Sequence, residues 1–206
     1  MWKAHGRIIP RPRRPAPARL EESGGGILAG YRRKNRASKL LYGLLWQSIT
    51  LAVPMDKITQ DDALFMESAI EEARQGFAEG GIPIGSVLVL DGRIVGRGRN
   101  RRKQQSNPIL HGEMDCLQSA GRLTAKDYQR STLYSTLSPC HMCAGAILLF
   151  GIRRVVMAEN RTFQGAEELM CQHDVEVVNM DLAEPQQLMQ EFIARHPKDW
   201  AEDIAE

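Results

Sequence analysis

Two short segments hold most of the reactive side chains of this chain of 206 residues: His111-Gly-Glu113 and Pro139-Cys140-His-Met-Cys143. One imidazole and two thiols make a complete protein ligand set for a catalytic zinc, which keeps a fourth position open for water, whereas a structural zinc is closed by four side chains. Glu113 is then a carboxylate left over from coordination. The chemistry that uses such a group is hydrolysis, with water activated by the metal and a neighbouring base moving its protons. The candidate ligands are therefore His111, Cys140 and Cys143 around one Zn2+ per chain, with Glu113 as the catalytic residue.

A Cys-x-x-Cys alone would serve equally as a redox pair or half of a zinc knuckle. A closed structural site needs a fourth ligand, and the remaining candidates are Cys116, His141, Cys171, His173 and His196. Cys116 is five positions past His111, roughly 140° around a helix at ~100° per residue, and His141 diverges from its neighbour Cys140. The other three could approach only through the tertiary fold. Both motifs read as helix starts, over Leu110 to Gly121 and over Cys140 to Phe150. His111 and Glu113, two apart, converge only in the first turn, on something lying off the helix end. The unpaired N–H groups and positive dipole end at Cys140 and Cys143 would hold both as thiolates.

Composition fits a soluble enzyme with one sizeable core. Hydrophobic content is 43%, and four cysteines, two of them in the Cys-x-x-Cys, do not make a disulfide framework. The expected compartment is the cytoplasm, with the nucleus also open. Residues 1–54 hold 11 Lys+Arg and 2 Asp+Glu, while residues 55–206 hold 16 and 23, so a basic segment precedes an acidic domain. The first segment reads as an Arg/Pro/Gly-rich N-terminal extension, disordered or non-catalytic, with Met55 as the working start. An organelle-targeting segment and a basic interaction arm are the alternatives. Its apolar run from Lys39 to Pro54 is short for a membrane span, which takes about 20 residues.

Residues 55–206 alternate helices and strands. Thr59 caps a helix whose Met66, Ile70, Ala73 and Phe77 recur at helical spacing. Ile84 to Leu90 and Arg93 to Gly98 form two strands joined at Asp91-Gly92, a dipeptide favoured in tight hairpins. After the His111 helix come a strand at 132–137, the Cys140 helix, a strand at 154–158, a helix near 165–172, a strand at 175–180 and a helix at 185–195. The expected architecture is a three-layer α/β/α fold on a central mixed five-stranded sheet. The strands after the hairpin, each separated by a helix, are expected to pair in parallel through right-handed crossovers. Ligands bind at the carboxyl ends of such strands, where Ser138-Pro139-Cys140 lies.

The His-x-Glu then Pro-Cys-x-x-Cys order resembles the signature of zinc-dependent nucleobase deaminases. Further matches narrow it: Gly80-Gly-Ile-Pro-Ile-Gly85, Gly96-Arg-Gly98 with Asn100, Thr132-Leu-Tyr134, Thr136-Leu-Ser-Pro-Cys140, Glu159-Asn160 with Phe163, and Asp199-Trp200 with Glu202-Asp203-Ile204. With these, residues 55–206 resemble the fungal-type cytosine deaminases of the cytidine-deaminase-like superfamily. The resemblance implies a homodimer acting on cytosine, a small-molecule substrate, with no nucleic-acid or membrane partner. It places Asn100 and the Gly112 N–H on the polar edge of the pyrimidine, Asp203 as acceptor from ring or amino hydrogens, and Phe163 and Trp200 against the ring, with Ser138 also at the substrate site. Lys103 and Ala201 stand where the family carries aromatics, and Ala205 replaces a glycine.

The implied mechanism has Glu113 take a proton from the metal-activated water, protonate ring N3, and deliver a second proton to the departing amino group. Two other classes share parts of the pattern. A tRNA adenosine deaminase carries the same zinc signature, and Arg97, Arg99, Arg101, Arg102 and Lys103 form a local basic run, although the acidic balance of residues 55–206 argues against it. A binding module without catalysis is the other, separated by whether ammonia is released. The apolar segment Ala144 to Phe150 is core or dimer interface, which periodicity does not separate.

Overall fold

The computed structural model describes residues 58–205, so the readings for residues 1–54 and for a start at Met55 fall outside the described residues. Helix α1 (Gln60–Ala78) begins at a capping box: the Thr59 hydroxyl accepts from the Asp62 N–H, and the Asp62 carboxylate accepts from the Thr59 N–H. Asp62 does more than cap. Its carboxylate also accepts from the Tyr134 hydroxyl at 2.7 Å and from the Arg154 guanidinium at 2.7 Å, tying the helix start to two strands. Met66, Ile70 and Ala73 are buried, as their spacing predicts.

Strands β1 (Gly85–Leu90) and β2 (Arg93–Arg99) close at Asp91 and Gly92, both at positive φ (49° and 77°), the geometry that makes this dipeptide a hairpin turn. Then come α2 (Arg102–Gln105), α3 (Gly112–Ala120), α4 (Ala125–Arg130), β3 (Ser131–Ser135), α5 (His141–Phe150), β4 (Arg154–Met157), α6 (Glu167–Gln172), β5 (Glu176–Asn179), α7 (Ala183–Arg195) and α8 (Pro197–Asp203). Three of these helices, α2, α4 and α8, are additions to the sequence reading. Helix α4 starts at a second capping box, Thr124 with Asp127, and α8 has Pro197 in its first turn.

The sheet is mixed and five-stranded, in the order β2-β1-β3-β4-β5. Strands β3, β4 and β5 pair in parallel as expected, but β3 pairs antiparallel with β1. The sheet is mixed as expected, with the parallel pairs among the strands after the hairpin and the antiparallel pairs on either side of β1. The crossover through α3 does make β3 parallel to β2, but it passes over β1, and β1 runs against both.

Side chains alternate across the sheet and build a core on each face. Val87, Val89, Tyr134 and Val156 face Met66 and Ile70 of α1, while Leu88, Leu133 and Val155 face Cys116, Ile147 and Met170 on α3, α5 and α6. This is the three-layer arrangement expected. Helix α3 lies unusually close to the sheet because of two glycines. A Cβ on Gly98 would stand 2.1 Å from the Cys116 nitrogen, and one on Gly96 would stand 2.6 Å from the Cys116 oxygen. The Gly-Arg-Gly segment thus sets the depth of the helix that begins at His111. A third cluster, with Ile82, Ile84, Leu137, Phe192 and Trp200, brings α7 and α8 over the ends of these strands. No helix of the described residues is long and apolar enough to cross a membrane.

Candidate active site

His111 is the N-cap of α3 and Cys140 the N-cap of α5, each with extended backbone angles, so both side chains project off a helix start instead of along a helix flank. Cys143 follows in the first turn of α5. Their ligand atoms lie within 4.8 Å of one another, and no other Cys, His or carboxylate of the described residues joins that group. The Cys140 and Cys143 sulfurs are 3.7 Å apart and the Cys140 sulfur is 3.6 Å from His111 Nδ1. Zinc–sulfur bonds of about 2.3 Å and a zinc–nitrogen bond of about 2.0 Å give tetrahedral edges of about 3.8 Å between two sulfurs and about 3.5 Å between sulfur and nitrogen. The trio therefore fits a tetrahedral zinc with one corner left over. Cys116 is sealed in the core at 0% exposure, against the sheet, and its sulfur is not in the group of ligand atoms, so it is not a fourth ligand.

Before a metal binds, the two thiols differ. The Cys140 thiol is lowered to about 4, chiefly by the hydrogen bond it shares with Cys143 and further by His111 against the opposing effect of burial. Cys143 goes the other way, raised by that same shared hydrogen bond and by burial. Metal binding is coupled to loss of thiol protons, so a zinc ion held by both sulfurs would take both as thiolates.

Glu113 is buried in the first turn of α3 at 3% exposure. Its Oε1 accepts from Ser135 Oγ at 3.1 Å, and its Oε2 accepts from Cys143 Sγ at 3.4 Å. Burial, and then the charge of Cys140, raise its carboxyl above the usual carboxylate range, which suits a group that must both take and give a proton near neutrality. Its position beside the ligand trio, without belonging to it, is that of a proton shuttle.

A cavity of about 310 Å³ opens on these groups, at the small end for ligand sites. His111, Glu113, Ser138, Phe163, Trp200 and Asp203 all stand on its wall. Phe163 and Trp200 meet edge to face at 6.1 Å. Ser138 is on the wall, but its hydroxyl is already used, donating to Glu167 at 2.8 Å and accepting from the Gly165 N–H at 3.0 Å. Asn100 is fully buried behind the wall and donates to Asp203 Oδ1 at 3.2 Å. Gly112 is also buried behind it and, as first residue of α3, has an N–H with no partner inside the helix. Lys103 is off this wall, paired with Asp199 at 2.6 Å and lying over the Phe192 ring.

Sequence reading missed Arg102, Ile84 and Leu137, which also line the cavity. The two apolar residues had only strand hydrophobicity to mark them, and Arg102 was one of five in a basic run. That run is internally matched. Arg97 faces Glu71 and Glu72, Arg99 bonds Glu72 and Glu79, Arg101 pairs with Asp115, Arg102 with Asp203 and Lys103 with Asp199.

A His-Cys-Cys trio that could hold a metal, a buried carboxylate beside it and a small cavity onto which both open are the parts of a metal-assisted hydrolase. Residues 59–159 match the family described as the cytidine and deoxycytidylate deaminase zinc-binding region. The chain is 49% identical over 150 residues to the cytosine deaminase of Candida albicans, covering 72% of this chain and 100% of that one. It is 39% identical over 115 residues to a tRNA-specific adenosine deaminase of Streptococcus pyogenes, covering 53% of this chain and 70% of the relative. The solved guanine deaminase of Nitrosomonas europaea shares the fold, with a TM-score of 0.58 at 22% identity over 66% of this chain and 86% of that one. The protein belongs to the zinc-dependent cytidine and deoxycytidylate deaminase family, and it is an enzyme of that family.

Proposed function

We propose that the protein hydrolyses free cytosine to uracil and ammonia, in pyrimidine salvage in the cytoplasm. The observation that carries this reading is that Trp200 and Asp203 of α8 line the same small cavity as His111, Glu113 and Cys140, which suits a single flat base. The full-length relative from Candida albicans, named a cytosine deaminase, supports it.

His111, Cys140 and Cys143 would hold a zinc ion, which would supply Lewis acidity to polarise a water and make it more acidic. Glu113 receives the water proton and passes it to ring N3, which makes C4 electrophilic to the water oxygen. Glu113 then carries the second proton to the amino group, and ammonia leaves. Phe163 and Trp200 hold the ring flat against the pocket, and the Gly112 N–H, Asn100 and Asp203 pair with its polar edge. A small base offers few such groups, and a site that pairs each of them rejects analogues that would strand its own buried donors and acceptors.

The identity to tRNA-specific adenosine deaminases makes a nucleic-acid substrate the second reading. The matched basic run speaks against it, since phosphate binding needs cations that are not already neutralised by carboxylates. The test is turnover by the full chain of cytosine, cytidine, adenine, guanine and a tRNA anticodon stem, with zinc measured per chain. Ammonia from cytosine far above the others supports the reading, and turnover of the tRNA substrate alone overturns it.

We also propose a homodimer. Cys143, Ala144 and Ile147 of α5 face the core, whereas Leu149 is 80% exposed. Leu149, Phe150, Ile109 and Met114 border an apolar groove of about 640 Å³. The fit of one copy's apolar face to its twin accounts for this groove, and a monomeric mass by light scattering would refute it.

A further inference from the structure

Asn100 and Asp203 are 103 residues apart in the chain, yet one side chain and its own backbone orient both. Arg102, the first residue of α2, donates its backbone N–H to Asn100 Oδ1 at 3.1 Å, which turns the amide so that Nδ2 faces Asp203. Its guanidinium Nη1 donates to Asp203 Oδ1 at 2.8 Å. Asn100 Nδ2 reaches the same oxygen at 3.2 Å, and His111 Nε2 stands 3.7 Å from it. Every described neighbour of this carboxylate therefore gathers on Oδ1. Asp203 Oδ2 receives no donor from the described residues, and Asp203 stands on the cavity wall with its side chain 3% exposed.

The arrangement is costly for the arginine. Its side chain is only 16% exposed, and Nε is a buried donor with no partner among the described residues. A buried guanidinium N–H left unpaired is unfavourable for folding, and such local conflicts gather at functional sites. Lys103, its neighbour, pairs with Asp199 one turn earlier on α8 and leaves the cavity wall alone.

We infer that Arg102 is a positioning residue for substrate recognition: it locks Asn100 and Asp203 as a matched pair and leaves Asp203 Oδ2 to accept the ring N–H of the base. This rests on the cytosine reading above. The ring N–H stays in place through the reaction at C4, so a contact to it is made equally in ground and transition states. Loss of such a contact raises KM and spares kcat.

The experiment compares Arg102→Met, Arg102→Lys and the control Lys103→Ala in the full chain, reading kcat, KM for cytosine and zinc per chain. Arg102→Met should raise KM about tenfold or more with kcat within about threefold and zinc retained. Both variants keep the backbone N–H to Asn100, but Arg102→Lys also keeps the charge beside Asp203 and should recover part of that loss, and Lys103→Ala should leave KM within about twofold. A KM unchanged in both Arg102 variants, a fall confined to kcat, or a rise of the same size in Lys103→Ala overturns the inference while cytosine remains the substrate. No cytosine turnover by the wild-type protein overturns the substrate reading and this inference with it.

Discussion

Glu113→Gln isolates proton transfer from everything else the site does. The amide has the shape of the carboxylate, and its oxygen can keep the Ser135 hydroxyl bond that Glu113 Oε1 accepts at 3.1 Å. Its NH2 then faces the Cys143 sulfur, where the carboxylate now stands at 3.4 Å, and a thiolate accepts from it. Neither the helix start nor the ligand trio is disturbed, so zinc should remain at one per chain. What disappears is a group able to take a proton from water and return it twice per turnover. One positioned acid–base group contributes about 10²–10⁴-fold, and with both transfers resting on Glu113 the loss should be about 10³-fold or more. That is about 4 kcal/mol of barrier at about 1.36 kcal/mol per tenfold. Ammonia release from cytosine, read beside metal content, measures both quantities on one sample. Retention of more than a few per cent of the wild-type rate at full zinc would refute the shuttle, and loss of zinc would show that Glu113 holds the metal.

Three further outcomes follow from separate parts of the structure. His111→Ala should lose the metal and with it all turnover, because two sulfurs alone do not complete the trio; metal analysis after dialysis checks it. Gly98→Ala should unseat α3, since the added methyl would stand 2.1 Å from the Cys116 nitrogen, costing about 3 kcal/mol or more and weakening zinc binding by moving His111; urea unfolding and metal content test it together. Burial alone would raise the Asp62 carboxyl, but Arg154, the Thr59 N–H and Tyr134 outweigh it and hold it at about 2, below its ordinary 3.8. The unfolded chain thus binds the proton more readily, so the stabilisation is complete above about pH 4 and is lost as pH falls toward 2, by about 2 kcal/mol. Asp62→Asn should be less stable near neutrality and lack that component of the acid loss, and parallel denaturation curves for both proteins from pH 5 to pH 2.5 would contradict this.

The metal trio and Glu113 were legible because their chemistry sits in local spacing: two helix starts, each with its ligands inside one turn. The hairpin was legible for the same reason, as Asp91-Gly92 carries its conformation in two residues. What local spacing does not carry is which partner a group meets across the fold. The parallel pairing of β3, β4 and β5 was legible from the helices between them, but which hairpin strand β3 would join was not, because strand order depends on which edge of the hairpin remains open.

The basic run makes the same point with a functional consequence. Read along the chain, Arg97 to Lys103 is a cluster of cations that could serve a polyanion. In the fold its alternating residues diverge: Arg97 and Arg99 turn toward α1 and the Glu79 that follows it, Arg101 toward α3, and Arg102 and Lys103 toward α8. Their carboxylate partners come from segments far apart in sequence, so no window of the chain contains the neutralisation. The acidic balance of residues 55–206 was the one sequence property that registered those partners, because a net charge counts them wherever they lie. The same charges that look like a nucleic-acid footprint along the chain therefore become struts that fasten the helices around a small site, and one of them, Arg102, reaches the cavity wall itself.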